Sequence, residues 1–215
     1  NNPTGSVYDE DELRTLAAIA LEKNLVVITD EAYEYFVFDG RKHFSIGSIP
    51  EMKDHVISCF TFTKTYAMTG WRIGYAHASK EWIAQITKIH IPYCICAPVV
   101  SQYAALAAIT GPQDCVDEFR RHYQKTRDLM CKRLDLMPQI FSYYKPAGSY
   151  LMFPRIELTE GKDSMTFAKK LLQEAKISTT PGVAFKGEGH IRMSFCVPED
   201  TIHKAFDRIE RYFAT

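Results

Sequence analysis

Two short apolar runs that do not alternate narrow the fold most: LVVI at residues 25–28 and VISCF at residues 56–60. A strand with one wet face alternates apolar and polar side chains, whereas a continuous run suits a strand buried on both faces, as in a parallel sheet. Ahead of the first run, YDEDELRTLAAIALEKN sets Leu13, Leu16, Ala17, Ala20 and Leu21 on one helical face. The acidic residues 9–12 suit the positive N-terminal end of that helix and read as a solvated helix start, not a calcium loop. RIGYAHA at 72–78 reads as a third strand of the same kind, and helices are predicted over 80–91 and 98–109. This alternation predicts an α/β fold with a mostly parallel sheet. Ligands of such sheets sit outside the carboxyl ends of the strands. Asp30 and the Thr61–Lys64 group both fall at such ends.

Gly111-Pro112 marks a predicted boundary between domains 1–111 and 112–215. Beyond it, 114–136 reads as a long charged amphipathic helix and GSYLMFPRI as a strand. Residues 164–175 read as a helix with Phe167, Leu171, Leu172 and Ala175 on one face. HIRMSFCV alternates, with Ile191, Met193, Phe195 and Val197 facing one way and Arg192, Ser194 and Cys196 the other. A last helix over 199–213 carries the stripe Ile202, Phe206, Ile209 and Phe213. The second part is therefore expected to be a smaller α+β domain.

Composition excludes several function classes. The 26 basic and 26 acidic residues balance, and no Lys/Arg cluster appears, which argues against nucleic acid or an anionic membrane as partner. No apolar run is long enough for a membrane span. The chain opens on the loop-forming NNPTG without a basic and apolar leader, so a cytoplasmic location is expected. The six cysteines show no paired spacing and read as buried reduced thiols, and the seven histidines show no metal-ligand spacing, so no metal is expected. Trp71, Tyr35 and Tyr75 read as packing residues.

FTFTKTYAMTGWRIGY, residues 60–75, sets Lys64 among three threonine hydroxyls and follows it with Arg72. A partly desolvated lysine near another cation loses its proton readily and can attack a carbonyl. Guanidinium and hydroxyl groups together suit phosphate oxygens. An aldehyde carrying a phosphate accounts for both features, and pyridoxal 5′-phosphate is such a cofactor. It also needs a carboxylate at its pyridinium nitrogen, which Asp30 could supply.

In this order, NNPTG, DEAY, FTFTKTYAMTGWRIGY and HIRMSF resemble the motifs of class I/II aminotransferases, the fold-type I pyridoxal-phosphate enzymes. The resemblance spans nearly the whole chain and is nearest to the aspartate/aromatic branch. It implies that Lys64 forms the Schiff base and shuttles the proton, and that Asp30 keeps the ring nitrogen protonated. It implies that Tyr33 and Asn2 bond the phenolic oxygen, that Thr61, Thr63 and Arg72 bind the phosphate, and that Arg192 clamps the substrate α-carboxylate. Threonines stand at 61 and 63 where the family usually has serines, and the hydroxyl is kept. No arginine lies in IHIPYCICAPVV, so specificity for dicarboxylates gains no support there. The resemblance further implies amino acid and 2-oxo acid substrates, a homodimer, and a chain that is the C-terminal half of such an enzyme. The half before Asn1 would then carry the turn that completes the phosphate site and the aromatic that stacks on the ring. The 215 residues alone are expected to bind the cofactor weakly and turn over poorly. The same scaffold also supports lyases, decarboxylases and synthases, and occurs as an effector-sensing module or noncatalytic remnant.

Overall fold

The computed structural model describes residues 1–158 and 163–214. The chain forms two compact units, one of Tyr8–Glu118 and one of Asn1–Val7 with Phe119–Thr215. The division thus falls inside a helix, and the first seven residues go with the C-terminal part.

In the unit Tyr8–Glu118, helix α1 (Glu10–Glu22) starts at a capping box in which Asp9 and Glu12 exchange side-chain-to-backbone hydrogen bonds. Such a cap stabilises a helix by about 1 kcal/mol. Ala17 and Ala20 are buried, but Leu16 and Leu21 of the expected stripe are exposed. Strand β1 (Val27–Asp30) pairs in parallel with β2 (Val56–Thr61), with Val27 opposite Val56 and Asp30 opposite Cys59. Ala17 and Ala20 pack with Ile46, Ile49, Met52 and Val56 into a core on one side of this pair.

Two expectations need correction here. β1 is not buried on both faces: its burial alternates although its hydropathy does not, and Ile28 is 70% exposed. The reason is that the core cluster covers only one face of the strand. The third strand, β3 (Gly74–Ala78), is not parallel but runs antiparallel to β2, with Thr61 opposite Gly74. Its connection needs no crossover helix, because residues 62–73 return the chain along the same edge. A Cβ at Gly74 would lie 2.4 Å from the Phe60 carbonyl oxygen, so this close approach requires glycine.

Between β2 and β3 lies a one-turn helix, α2 (Phe62–Thr65). Phe62 and Met68 form a second core cluster with Ala105 from α4 (Val99–Thr110). Helix α3 (Lys80–Cys94) buries none of its residues, and α4, apolar on nearly all sides, buries Ser101 and Ala105. Trp71, Tyr35 and Tyr75, expected as packing residues, are each more than 40% exposed, although Tyr75 stacks on Phe60.

Helix α5 (Asp114–Asp135) runs across the division into the second unit. There GSYLMFPRI is not one strand but two, β5 (Leu151–Met152) and β6 (Arg155–Ile156), separated at Pro154, which has no N–H for a ladder. β6 pairs with β4 (Phe141–Ser142), while β5 pairs with β8 (Ile191–Ser194), which also pairs with β7 (Thr180–Pro181). All of these pairings are antiparallel. In β8 and the two residues after it, Ile191, Met193 and Phe195 are buried and Ser194 and Cys196 exposed, as the alternation predicts. Helix α6 (Ser164–Lys170) continues as a π-helical turn, Leu171–Ala175, and Leu172 is exposed rather than on the buried face. Helix α7 (Glu199–Ala214) buries Ile202, Phe206 and Ile209. The cysteines are also corrected: all six are free, but of these Cys131 is buried, Cys59 half-buried, and Cys94, Cys96, Cys115 and Cys196 exposed. Among the described residues, no helix is long and apolar enough to cross a membrane.

Candidate active site

The first group of candidate residues gathers at the carboxyl ends of the parallel pair β1–β2. Asp30 ends β1, exposed, and its Oδ1 accepts the Ala32 N–H at 3.1 Å. The turn that follows carries Tyr33, closed by a bond from the Glu34 N–H to the Glu31 carbonyl. Next to it, β2 ends at Thr61, whose hydroxyl caps α2 by accepting the Thr63 N–H at 3.1 Å. Lys64 lies on this single turn, with Nζ 5.9 Å from the centre of the Tyr33 ring. Thr63 is buried, whereas Thr61 and Lys64 are half-buried.

Arg72 is held by its backbone. It adopts the left-handed conformation (φ 50°), which costs a non-glycine residue about 1 kcal/mol, and its guanidinium donates to the Thr69 carbonyl at 2.9 Å. The next carbonyl, that of Ile73, accepts from both the Thr61 hydroxyl and the Phe62 N–H. The loop bearing Arg72 is thereby tied to the end of β2. Ser101 adds a second tie through a 2.8 Å bond to the Trp71 carbonyl. The Asp30 and Glu31 charges reach this end of the sheet too: burial pushes the Cys59 thiol up, and the two carboxylates add to it.

A second group lies in the other unit. Arg192 projects from the half-exposed face of β8 and donates from Nη1 to Asn2 Oδ1 at 2.9 Å and from Nη2 to Thr180 Oγ1 at 3.2 Å. The Phe185 ring lies against the guanidinium, 4.8 Å from its carbon. Asn2 is held in a turn closed by the Gly5 N–H on the Asn1 carbonyl. Gly5 has φ +70°, and a Cβ there would stand 2.5 Å from Pro146 Cβ, so the turn needs glycine for both conformation and space.

The structure thus brings together Asp30, Tyr33, Thr61, Lys64 and Arg72 in one unit, and Asn2 with Arg192 in the other. Sequence reasoning missed Thr180 and Phe185, which frame Arg192, and it missed Glu31. Glu31 is 7% exposed and hydrogen-bonded to Thr29, His43 and Ser45. A signal was present: a glutamate directly after an exposed strand-end aspartate points to the opposite, buried face. The Arg72 conformation leaves no trace in the sequence beyond the neighbouring Gly70.

A group of this kind can hold an anion between hydroxyl and guanidinium, present an amine to a carbonyl and offer a carboxylate to a cation. Comparison with known proteins identifies the family. The family model of aminotransferase class I and II matches residues 1–209. The chain is 38% identical to aromatic-amino-acid aminotransferase 2 of Thermococcus litoralis, over 98% of this chain and 54% of that protein. It is 39% identical to the aspartate aminotransferase of Pyrococcus abyssi, with the same coverage of 98% and 54%. Among solved structures, it superposes on the aromatic aminotransferase from Pyrococcus horikoshii with a TM-score of 0.93 at 36% identity, covering 99% of this chain and 57% of that one. It superposes on the Thermus thermophilus aspartate aminotransferase with maleate at a TM-score of 0.89 and 32% identity, covering 98% and 54%. The chain spans about half the length of the curated relatives it matches.

Proposed function

The chain belongs to the class I and II aminotransferases, and on that premise we propose that it supplies the lysine, the ring-nitrogen carboxylate and the substrate-carboxylate arginine of a pyridoxal-phosphate transaminase. One observation carries this reading: Asp30 and the Thr61–Lys64 turn stand at the carboxyl ends of neighbouring parallel strands, with Tyr33 against Lys64. That is the position where sheets of this kind hold ligands.

The residues present fit the cofactor. Arg72, fixed in a left-handed backbone and tied to Thr61, suits a phosphate. The open Asp30 carboxylate suits a ring N–H, and Lys64 suits an aldehyde. When bound, pyridoxal 5′-phosphate supplies a carbonyl that condenses with amines and a ring that accepts an electron pair. Lys64 Nζ would hold the aldehyde of the bound cofactor and, as a free amine, would carry the proton to and from the substrate α-carbon. Asp30 would hold a proton on the ring nitrogen. Tyr33, and by resemblance Asn2, would serve the phenolic oxygen, and Thr61 and Arg72 would hold the phosphate, with buried Thr63 helping through the turn it forms. Arg192 takes the substrate α-carboxylate as a two-pronged clamp, its fork set by Asn2, Thr180 and Phe185.

The donors are α-amino acids and the acceptors 2-oxo acids, with aromatic and dicarboxylic amino acids the first to try, after the names of the relatives. In the whole protein, β1 and β2 belong to a larger, mostly parallel sheet. Residues up to 111, apart from the first seven, are the C-terminal portion of a cofactor-binding domain, and 112–215 a smaller domain with which those seven pack, in a cytoplasmic homodimer. The test is covalent. Pyridoxal phosphate is added, borohydride makes the attachment permanent, and the peptide is mapped by mass spectrometry with Lys64→Ala as control. Label confined to Lys64 supports the reading; label scattered over many lysines, or none, sinks it for this chain.

A further inference from the structure

Asp30 is the exposed end of β1, and the residues on either side of it meet beneath it. Thr29 Oγ1 donates to Glu31 Oε1 at 2.8 Å. Strand alternation sends both of these side chains to the face opposite Asp30. The same Oε1 accepts from Ser45 Oγ at 2.8 Å, and Oε2 accepts from His43 Nε2 at 2.8 Å. Both oxygens of a nearly buried carboxylate are therefore used, by donors from the strand and from the segment 43–45. Burial pushes the Glu31 carboxyl up, but the bonds from His43, Thr29 and Ser45 together hold it below the ordinary glutamate range. The Ser58 hydroxyl adds to this, although it is itself buried without a hydrogen bond of ordinary geometry.

The main chain carries this anchorage to the site. The Glu31 N–H donates to the Cys59 carbonyl at 2.9 Å, extending the β1–β2 ladder one residue past the strand. The next amide, that of Ala32, turns back to Asp30 Oδ1, and the Glu31 carbonyl closes the turn that bears Tyr33. Ser45 also caps the short helix Ile46–Ser48, whose Ile46 belongs to the core. The Glu31 side chain thus ties Asp30 and the Tyr33 turn to the core, in addition to the main-chain ladder.

We propose that Glu31 is the positioning residue of this site: its carboxylate clamp fixes the direction of Asp30 and of the Tyr33 turn. Its link to the cofactor rests on the function proposed above. Glu31 touches no reacting atom; it acts through Asp30.

Two measurements separate the two ideas. Amide hydrogen exchange in the absence of cofactor is followed at Ala32 and Glu34, with protected amides of α7 as internal reference. In Glu31→Ala, with three donors left unpaired, exchange at Ala32 speeds up about tenfold while α7 is unchanged. Glu31→Gln, which keeps an acceptor for Thr29 and Ser45, recovers part of the protection. Ser45→Ala, the mildest change, gives about a threefold effect. Unchanged Ala32 exchange in these variants, or equal acceleration at every protected amide, overturns the proposal. The second measurement is the pH midpoint of the visible absorbance of bound pyridoxal phosphate, expected to shift in Glu31→Ala in the same direction as in Asp30→Asn. If the wild-type chain does not take up the cofactor, the function above fails, while the exchange data still decide the clamp.

Discussion

Arg192 and Asn2 lie 190 residues apart in the chain and are joined by a 2.9 Å hydrogen bond. That bond leaves the other prong of the guanidinium on Thr180 and its flat face on Phe185. Lysine can reproduce the charge of Arg192 but not the fork. In the cofactor-loaded enzyme, Arg192→Lys should raise KM for the amino donor about tenfold or more, with a smaller fall in kcat. Asn2→Ala should change KM in the same sense but less. Steady-state kinetics over a range of donor concentrations checks this, and an unchanged KM in Arg192→Lys would remove Arg192 from the substrate site.

Arg127 is fully buried and donates to the Pro146 carbonyl and to Asp128. The segment just after Pro146 in turn holds the turn of Asn2, because the Ala147 and Gly148 amides both donate to the Gly5 carbonyl. Arg127→Ala removes a large buried side chain and leaves a buried carbonyl unpaired, so it should lower stability by about 2–4 kcal/mol in chemical denaturation. A loss under 1 kcal/mol would mean that the site repacks.

Gly74→Ala tests the close approach between β2 and β3. The added methyl would meet backbone, not a flexible side chain, and backbone cannot move aside cheaply. A loss of about 1–3 kcal/mol is expected. Unchanged stability would show that the β2–β3 pairing is looser than described.

Glu31 and Glu34 should respond to pH with opposite signs. Glu31, held below the ordinary value of 4.5, adds stability that is present above that value and lost as pH falls through its folded pKa. Glu34 is pushed above 4.5 by burial, with His43 opposing and Glu31 adding, so its ionisation costs stability as pH rises through that window. Glu31→Gln should therefore be least stable relative to wild type at neutral pH, with the gap closing below pH 4.5. Glu34→Gln should be stabilising at neutral pH and indifferent in acid. Denaturation curves from neutral to acid pH decide it; gaps that do not change with pH would dismiss both assignments.

The sequence makes some of this architecture readable and hides the rest for identifiable reasons. The stripe of α7 and the alternation of β8 are legible because each packs against one core, so hydropathy and burial share a period. β1 misleads because a continuous apolar run gives no sign of which face the core will cover. The direction of β3 is equally silent: pairing sense is set by how residues 62–73 return, and hydropathy carries no record of it. Lys64, Asp30, Tyr33 and Arg72 stand in motifs that mark them as candidates, while Thr180 and Phe185 do not, since neither carries a charge and they matter only by standing around Arg192. Glu31 went unnoticed beside the more conspicuous Asp30.

The staple between Thr29 and Glu31 holds the strand end without drawing on the charge of Asp30, whose Oδ1 takes the Ala32 amide. Asparagine at position 30 would keep Oδ1 for the Ala32 amide and disturb none of the bonds below. Framework and functional group are therefore separable at this position. On the proposed role of Asp30, a deficit measured in Asp30→Asn would report the lost charge, without first subtracting a folding defect.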